Sequence, residues 1–397
     1  MAAPKPHWAN MTVVTTNLLP DLVALRHHLH SIPEIGLSEF KTSDVIANEL
    51  TSLGYEVTRG LAKTGIVASL TNGNGTKSIG IRADFDALPI SEQTGADYAS
   101  THPGVMHACG HDGHTTILLG AARMLAERRN FEGTVHLIFQ PAEENFGGAK
   151  LMMEDGLFTR FPCDAVFGLH NEPSLPFGNF AFREGQMMAA ADECKITVVG
   201  RGGHGAEPHL AADPIVCGAS IIMALQTIIS RNTHPSQPAV ITVGTFNGGD
   251  ASNVIPERAE MCLTVRALDP DARDDLEERV RTVAKGQAAS YGMHVEVDYE
   301  RFYPPLVNPK AETAYVRAFA QRFAGADKVH DMLHPIMGSE DFSYFLEERP
   351  GCYFLMGTAR GENDPPLHHP KYDFNDDALP VGAAFWTELV EDFLTHP

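Results

Sequence analysis

ECKITVVG (193–200), DPIVCGASIIMALQTIISR (213–231), AVITVGTF (239–246), AEMCLTVRAL (259–268), DARDDLEERVRTVAKGQAASYG (271–292) and MHVEVDYER (293–301) follow one another with short connections. The first, third, fourth and last read as strands. The second and fifth carry apolar residues at spacings of three and four, the mark of a helix with one buried face. The order βαββαβ is the split βαβ, or ferredoxin-like, pattern and is complete in itself. Residues 187–302 are therefore read as an inserted domain, and 1–186 with 303–397 as the domain that receives it.

The receiving domain has a different rhythm. LLPDLVALRHHLHSIPEIG (18–36) suits an amphipathic helix from Pro20 to Ser31, ended by Ile32-Pro33, and SDVIANELTSLGY (43–55) a second helix. GIVASLTN (65–72), SIGIRADFDALPI (78–90), TVHLIFQP (134–141) and DAVFGLHN (164–171) are short β-branched runs bounded by Gly, Pro or Asn, with the helix HTTILLGAARMLAER (114–128) among them. Strands alternating with helices predict an α/β sheet flanked by helices. After the insertion, TAYVRAFAQRFAG (313–325) returns to helix. At 397 residues the chain is long enough for two cores.

A formal charge of -21, from 51 acidic and 30 basic residues, repels phosphate backbones and anionic lipid. Nucleic acid is not an expected partner. The six cysteines are scattered without a CxxC pair, which predicts reduced thiols and a cytoplasmic location. MAAPKPHWANMTVVTTNLLP has no basic stretch followed by an apolar run, and no segment reaches the roughly 18 unbroken apolar residues of a membrane span, so neither export nor a membrane is expected.

Metal-ligand residue types gather at the ends of the predicted strands, where α/β proteins place their sites. MHACGHDGHTT (106–116) puts Cys109 and His111 just before a helix, with His114 one turn on, either orienting a ligand or packing. PAEE supplies Glu143 and Glu144, GLHN supplies His170, and LHHPKYDFND supplies His368 and His369. Thiolate, imidazole and carboxylate together suit zinc or a neighbouring transition metal rather than calcium or magnesium. Adjacent glutamates on a strand end would point apart, so that one binds metal and the other handles protons.

MHACGHDGHTT, IRADFDALPI, FQPAEE, GLHNEP, GRGGHGAEPH, SNVIPE, MGSEDFSYF and LHHPKYDFND resemble, in order, the motifs of the M20 metallopeptidase family in its amidohydrolase branch, over nearly the whole chain. The resemblance implies a zinc-exopeptidase-like catalytic domain holding two divalent metal ions (zinc, manganese, cobalt or nickel). Its inserted ferredoxin-like domain would serve as lid and dimerisation domain, giving a homodimer or higher homo-oligomer. It also implies hydrolysis of N-acyl amino acids of the hippurate or N-acetyl type. Carried over by position, the metal ligands are Cys109, His111, Glu144, His170 and His368, and Glu143 is the general acid and base. Asp86 is the carboxylate that orients a ligand. His204 stabilises the oxyanion with Asn253 as helper, Arg266 pairs with the substrate carboxylate, and Gly338 lines the site. Cys109 stands where peptidase relatives carry a bridging aspartate, which points away from true peptidase activity.

GRGGHG (200–205) also satisfies the dinucleotide fingerprint G-x-G-x-x-G after a strand. Pro208 and the loop around it separate these glycines from the next helix, and no acidic residue ends a strand about twenty positions on, so a nicotinamide site is not expected. Two rivals stay open: a cysteine hydrolase using Cys109 with His111 or His114, and a non-catalytic relative that binds a small molecule.

Overall fold

A computed structural model of the chain describes residues 12–395, with side chains described from Leu19 onward. The reading of residues 1–11 as free of an export signal lies outside the described residues. Two compact units emerge from the contacts between residues. One holds the chain up to Gly185, Asn308–Leu333 and the chain from Tyr344; the other holds Gln186–Val307 and His334–Ser343. The second unit thus extends a few residues past the 187–302 segment and takes in a later return of the chain.

The first unit is built on an eight-stranded mixed sheet. In spatial order its strands are Glu56–Leu61, Gly65–Asn72, Gly133–Gln140, Ser78–Asp84, Ala165–Pro176, Gly351–Ala359, Phe180–Phe182 and Val329–Asp331. Ile66, Ile79, Ile81, Leu137, Phe139 and Phe167 are fully buried in one core with Ile117, Leu118, Phe385 and Trp386 of the His111–Arg128 and Ala378–Thr395 helices. Ser78–Asp84 runs parallel to both its neighbours, and the register sets Asp84 beside Gln140 and Arg82 beside Gly168. Three strands therefore end on one edge of the sheet, and the residues that follow them are delivered to a common place.

Among the departures from the sequence reading are two elements at the start of this unit. The first helix runs Thr12–Ser31 with Pro20 inside it rather than at its start. Proline suits a first helical turn, which made Pro20 look like a beginning, but here the helix extends on both sides of the missing N–H. Glu56–Leu61 was not anticipated, because an edge strand that is largely exposed shows no apolar alternation.

In the second unit the strands Ala239–Gly248, Arg258–Ala267, Asp192–Val199 and His294–Arg301 lie in that order, all antiparallel. Helices Pro214–Thr227 and Pro270–Ser290 both open on Asp-Pro. Asp213 and Asp269 each accept the backbone N–H of the residues two and three positions on, while proline fills a position that needs no N–H. Cys217, Ile221, Leu225, Leu276 and Val280 pack on Cys194, Ile196, Val198, Met261 and Leu263. The segment Pro214–Asn232 is long and apolar enough to cross a membrane, but its Cys217, Ile221, Leu225 and Ile228 are spent on this core. All six cysteines are free thiols, and of these Cys262 alone is exposed.

In the first unit the N-terminal helix holds the start of His111–Arg128 through a buried ionic cluster. Arg26 places Nη1 at 2.8 Å from Asp373 and Nε at 2.8 Å from Asp376. His30 Nδ1 lies 2.8 Å from Asp112 and its Nε2 3.3 Å from Glu92. Burial works against a charged His30, and so does Arg26, but Asp112 and Glu92 outweigh them and push its pKa from 6.5 up to about 9. His107 and Tyr98 supply the neighbouring rings. A folded-state pKa above the unfolded one stabilises fully below pH 6.5 and loses that contribution as pH rises through about 9. His30→Gln should therefore lower stability most on the acid side of this window and least above it. Urea unfolding across the window checks this; a deficit independent of pH would contradict it.

Candidate active site

The edge where the parallel strands end is shaped by two turns. After Ser78–Asp84 the chain turns at Phe85, whose N–H donates to Gln140 O at 3.1 Å, and presents Asp86. After Gly133–Gln140 it turns at Ala142, a buried non-glycine residue at φ +54°. Such a conformation costs about 1–3 kcal/mol and persists only where its surroundings impose it. The turn also corrects one expectation. Glu143 and Glu144 do not lie on a strand, so strand alternation does not part them, and one oxygen of each lies within 4.8 Å of the other and of a His111 ring nitrogen.

His111 opens its helix, preceded by Gly110 at φ +88°. A Cβ on Gly110 would lie 2.6 Å from Asn171 Nδ2 and 2.7 Å from the Tyr372 hydroxyl, so the CGH stretch admits only glycine there. His111 Nδ1 faces the backbone oxygen of Asp86 at 3.0 Å and its Oδ1 at 3.1 Å. Its Nε2 is buried and has no hydrogen-bond partner among the described residues, 3.9 Å from Glu144 Oε1. On the other side of Glu144 Oε1, His368 Nε2 lies at 3.3 Å. His170 donates from Nδ1 to Asn171 O at 2.7 Å and points Nε2 at Cys109 Sγ, 3.4 Å away.

The five residues carried over as ligands thus converge. Cys109, His111 and His170 form one group of donor atoms within 4.8 Å of one another, and Cys109, Glu144 and His368 a second, with the thiol common to both. His369 stays apart, its Nδ1 accepting the Lys371 N–H at 3.0 Å. Glu143 is buried beside His111 and Glu144. Asp86, besides orienting His111, accepts the Glu144 N–H at 3.0 Å and so ties the two turns together.

Asp84, Asn171 and Tyr372 were not singled out in the sequence. Asp84 is fully buried, paired with Arg82 at 2.7 Å and with His114 Nδ1 at 2.6 Å. His114 Nε2 accepts the Asn171 N–H at 3.0 Å, and Asn171 Nδ2 donates to Cys109 O at 2.7 Å. Tyr372 donates to Asn171 Oδ1. His114 is therefore a positioning group, the first of the two uses the sequence left open. The signals were present, since Asn171 directly follows His170 and Asp84 stands two residues before Asp86, but short polar residues at strand ends are too common to mark themselves.

The electrostatics favour a cation. Burial works against a charged His111, yet Asp84, Asp86 and Glu144 outweigh it and raise its pKa to about 10. Burial and then Glu144, Glu143 and Asp84 push the Cys109 thiol well above its ordinary value. Burial, helped by His114, lowers His170 to about 3, leaving a neutral ring whose Nε2 lone pair faces Cys109. The Glu144 carboxyl is held low against burial by His368 and His111. An orphaned Nε2, a thiol that only a cation would deprotonate and converging carboxylates together fit a transition-metal centre.

The remaining sequence candidates belong to the second unit. His204 and Asn253 meet on a small two-stranded ribbon, where His204 pairs with Val254 and Gly205 N–H donates to Asn253 O at 2.7 Å. His204 Nδ1 accepts the Ala206 N–H at 3.1 Å, which leaves Nε2 of this exposed residue as the ring's donor. Arg266 Nη1 donates to Ser339 Oγ at 2.8 Å, and the neighbouring Gly338 accepts the Ala189 N–H at 2.9 Å.

Residues 80–392 match the peptidase family M20/M25/M40. The hippurate hydrolase of Campylobacter jejuni is 42% identical over 388 residues, covering 95% of this chain and 100% of that protein. The N-acetyl-L-cysteine deacetylase of Bacillus subtilis is 39% identical over 380 residues, covering 96% and 89%. A crystal structure of the Bacillus subtilis YXEP protein, described as a dinuclear metal-binding peptidase from the M20 family, aligns with a TM-score of 0.83 at 34% identity over 96% of this chain and 99% of that one.

Cys109→Ser replaces a thiolate shared by both donor groups with a neutral hydroxyl. It should weaken zinc retention against a competing chelator at least roughly 10-fold, with the fold kept. Unchanged retention would remove Cys109 from the ligand set.

Proposed function

Because the chain belongs to the peptidase family M20/M25/M40, we propose that it hydrolyses the amide bond of N-acyl amino acids, hippurate-like or N-acetylated, to a carboxylic acid and an amino acid. It is a metal-dependent hydrolase of the amidohydrolase type, in keeping with the hippurate hydrolase and deacetylase among its relatives. The observation that carries the reading is the pair of donor groups sharing Cys109, with the Glu143 carboxylate beside them. Cys109, His111, Glu144, His170 and His368 are assigned two divalent ions, of zinc, manganese, cobalt or nickel. When bound, such ions supply Lewis acidity and bring the pKa of water toward neutrality.

Glu143 takes a proton from the attacking water as the acyl carbonyl becomes tetrahedral, and returns it to the departing amine nitrogen. Asp86 holds His111 through Nδ1, which leaves Nε2 to bind. His204 donates from Nε2 to the developing oxyanion, with Asn253 as helper. Arg266 and the backbone at Gly338 receive the substrate carboxylate. The second unit acts as a lid, and as the dimerisation domain of a homodimer or larger homo-oligomer. His204 then reaches the substrate by closure or from a partner subunit. Six free thiols agree with a cytoplasmic enzyme.

The thiol-nucleophile rival is disfavoured by the surroundings of Cys109. Burial and three carboxylates hold its sulfur protonated, the reverse of what a nucleophilic cysteine needs. A non-catalytic binding protein would have no use for the buried Glu143 carboxylate.

Glu143→Gln preserves size and removes the base, so kcat on a benzoyl or acetyl amino acid should fall at least roughly 10²- to 10⁴-fold with metal content unchanged. Loss of metal in this variant, with retention in Glu144→Gln, would exchange the two roles. His204→Ala should lower kcat roughly 10²- to 10³-fold, the effect of one lost oxyanion donor, with metal again retained. Mixing His204→Ala with Glu143→Gln restores activity only if His204 acts across subunits. Wild-type kcat in His204→Ala would end its catalytic assignment.

A further inference from the structure

The segment PEIGLSEFKT (33–42) takes no part in the proposed chemistry, yet it touches both turns that present the site. Glu34 O accepts the Ala87 N–H at 2.9 Å, and Ile35 bridges to Ala87, directly behind Asp86. Gly36 lies against the other turn, so that a Cβ on it would come within 2.9 Å of Ala142 Cβ. Glu39 completes the contact. Its side chain is fully buried, and although it stands at the N-cap of Phe40–Ser52 it does not cap that helix. One carboxylate oxygen accepts the Ala142 N–H at 2.9 Å and the other the Thr64 hydroxyl at 2.7 Å.

A buried carboxylate turned away from its own helix, with one oxygen on the N–H of a residue held at φ +54°, needs a reason. Ala142 directly precedes Glu143 and Glu144. We infer that Glu39 is a positioning residue for hydrolysis, anchored by Thr64, which holds Ala142 in its left-handed turn and thereby aims Glu143 and Glu144 into the site. Burial pushes the Glu39 carboxyl up to about 7, against the Thr64 hydrogen bond, so keeping it in place has a cost that its contact with the turn offsets. The inference rests on the roles proposed for Glu143 and Glu144.

The test uses Glu39→Ala, Glu39→Gln and Ala142→Gly, read as kcat, KM and Zn²⁺ retention against a chelator. Glu39→Ala should lower kcat roughly 10- to 100-fold with little change in KM, the scale of a catalytic group displaced by about 1 Å. Zn²⁺ retention should weaken roughly 10-fold, because Glu144 follows the same turn. Glu39→Gln should recover most of both, since its amide oxygen still accepts from Ala142 and its NH2 can donate to Thr64. Glycine occupies the left-handed region without penalty, so adding Ala142→Gly to Glu39→Ala should also restore a large part. A residue needed only for stability would gain nothing from that second change.

Wild-type kcat and Zn²⁺ retention in Glu39→Ala would overturn the inference, as would a loss that Ala142→Gly leaves untouched. If Glu39→Ala does not fold, Thr64→Val removes one anchor of the carboxylate. A smaller loss reversed by Ala142→Gly then supports the inference, and no loss overturns it. Should Glu143→Gln remain active, the base assignment fails by itself, while Zn²⁺ retention still reports on Glu39.

Discussion

Asp84, Asp86, Glu143 and Glu144 crowd their carboxylates into a space almost closed to water, and that negative charge has to be answered. Arg82 and His114 answer Asp84. The rest falls chiefly on His111, which is not enough, because burial keeps His170 neutral and a thiol such as Cys109 brings no positive charge. Much of the surrounding structure follows from this shortfall. His111 is drawn toward a charged ring, Cys109 is kept from ionising, and His170 is left neutral with its lone pair turned inward. A pocket so biased attracts cations, and its two donor groups are joined at the thiol.

The βαββαβ unit was legible because each of its elements has a clear period. The strands Ser78–Asp84, Gly133–Gln140 and Ala165–Pro176 were legible for a related reason, since buried strands are nearly continuous apolar runs. The exposed strand Glu56–Leu61 and the three-residue strands Phe180–Phe182 and Val329–Asp331 gave no such pattern, because their pairing is decided by the neighbours they meet. At the site, residues with distinctive chemistry were readable and their supports were not. Cys109 and His111 stand out in CGHDGH, while Asn171 and Glu39 become notable only when folding brings them to Cys109 O and Ala142 N–H. Resemblance to a family named the ligands, but the turn at Ala142, which brings both glutamates to one place, is a backbone fact that residue types do not announce.

The division of labour between the two units is also chemical. Every assigned metal ligand comes from the first unit, from strand ends, a helix start and one loop, all fastened to a single large core. The groups assigned to the substrate come from the second, on a short ribbon and on strand and loop positions that are largely accessible. Metal ligands need fixed distances, which a densely packed scaffold provides. Groups that meet a substrate need access before they need precision.

Cys262 stands on the solvent side of the four-stranded sheet, while the thiol assigned to the metals is buried in the other unit. A maleimide under mild conditions would therefore mark the second unit at one defined point and spare Cys109. A fluorophore or nitroxide placed there would follow the movement of that unit in solution without any substitution. The same exposed sulfur is the place where purified protein kept without reductant would join into covalent pairs, to be removed before any measurement of assembly state.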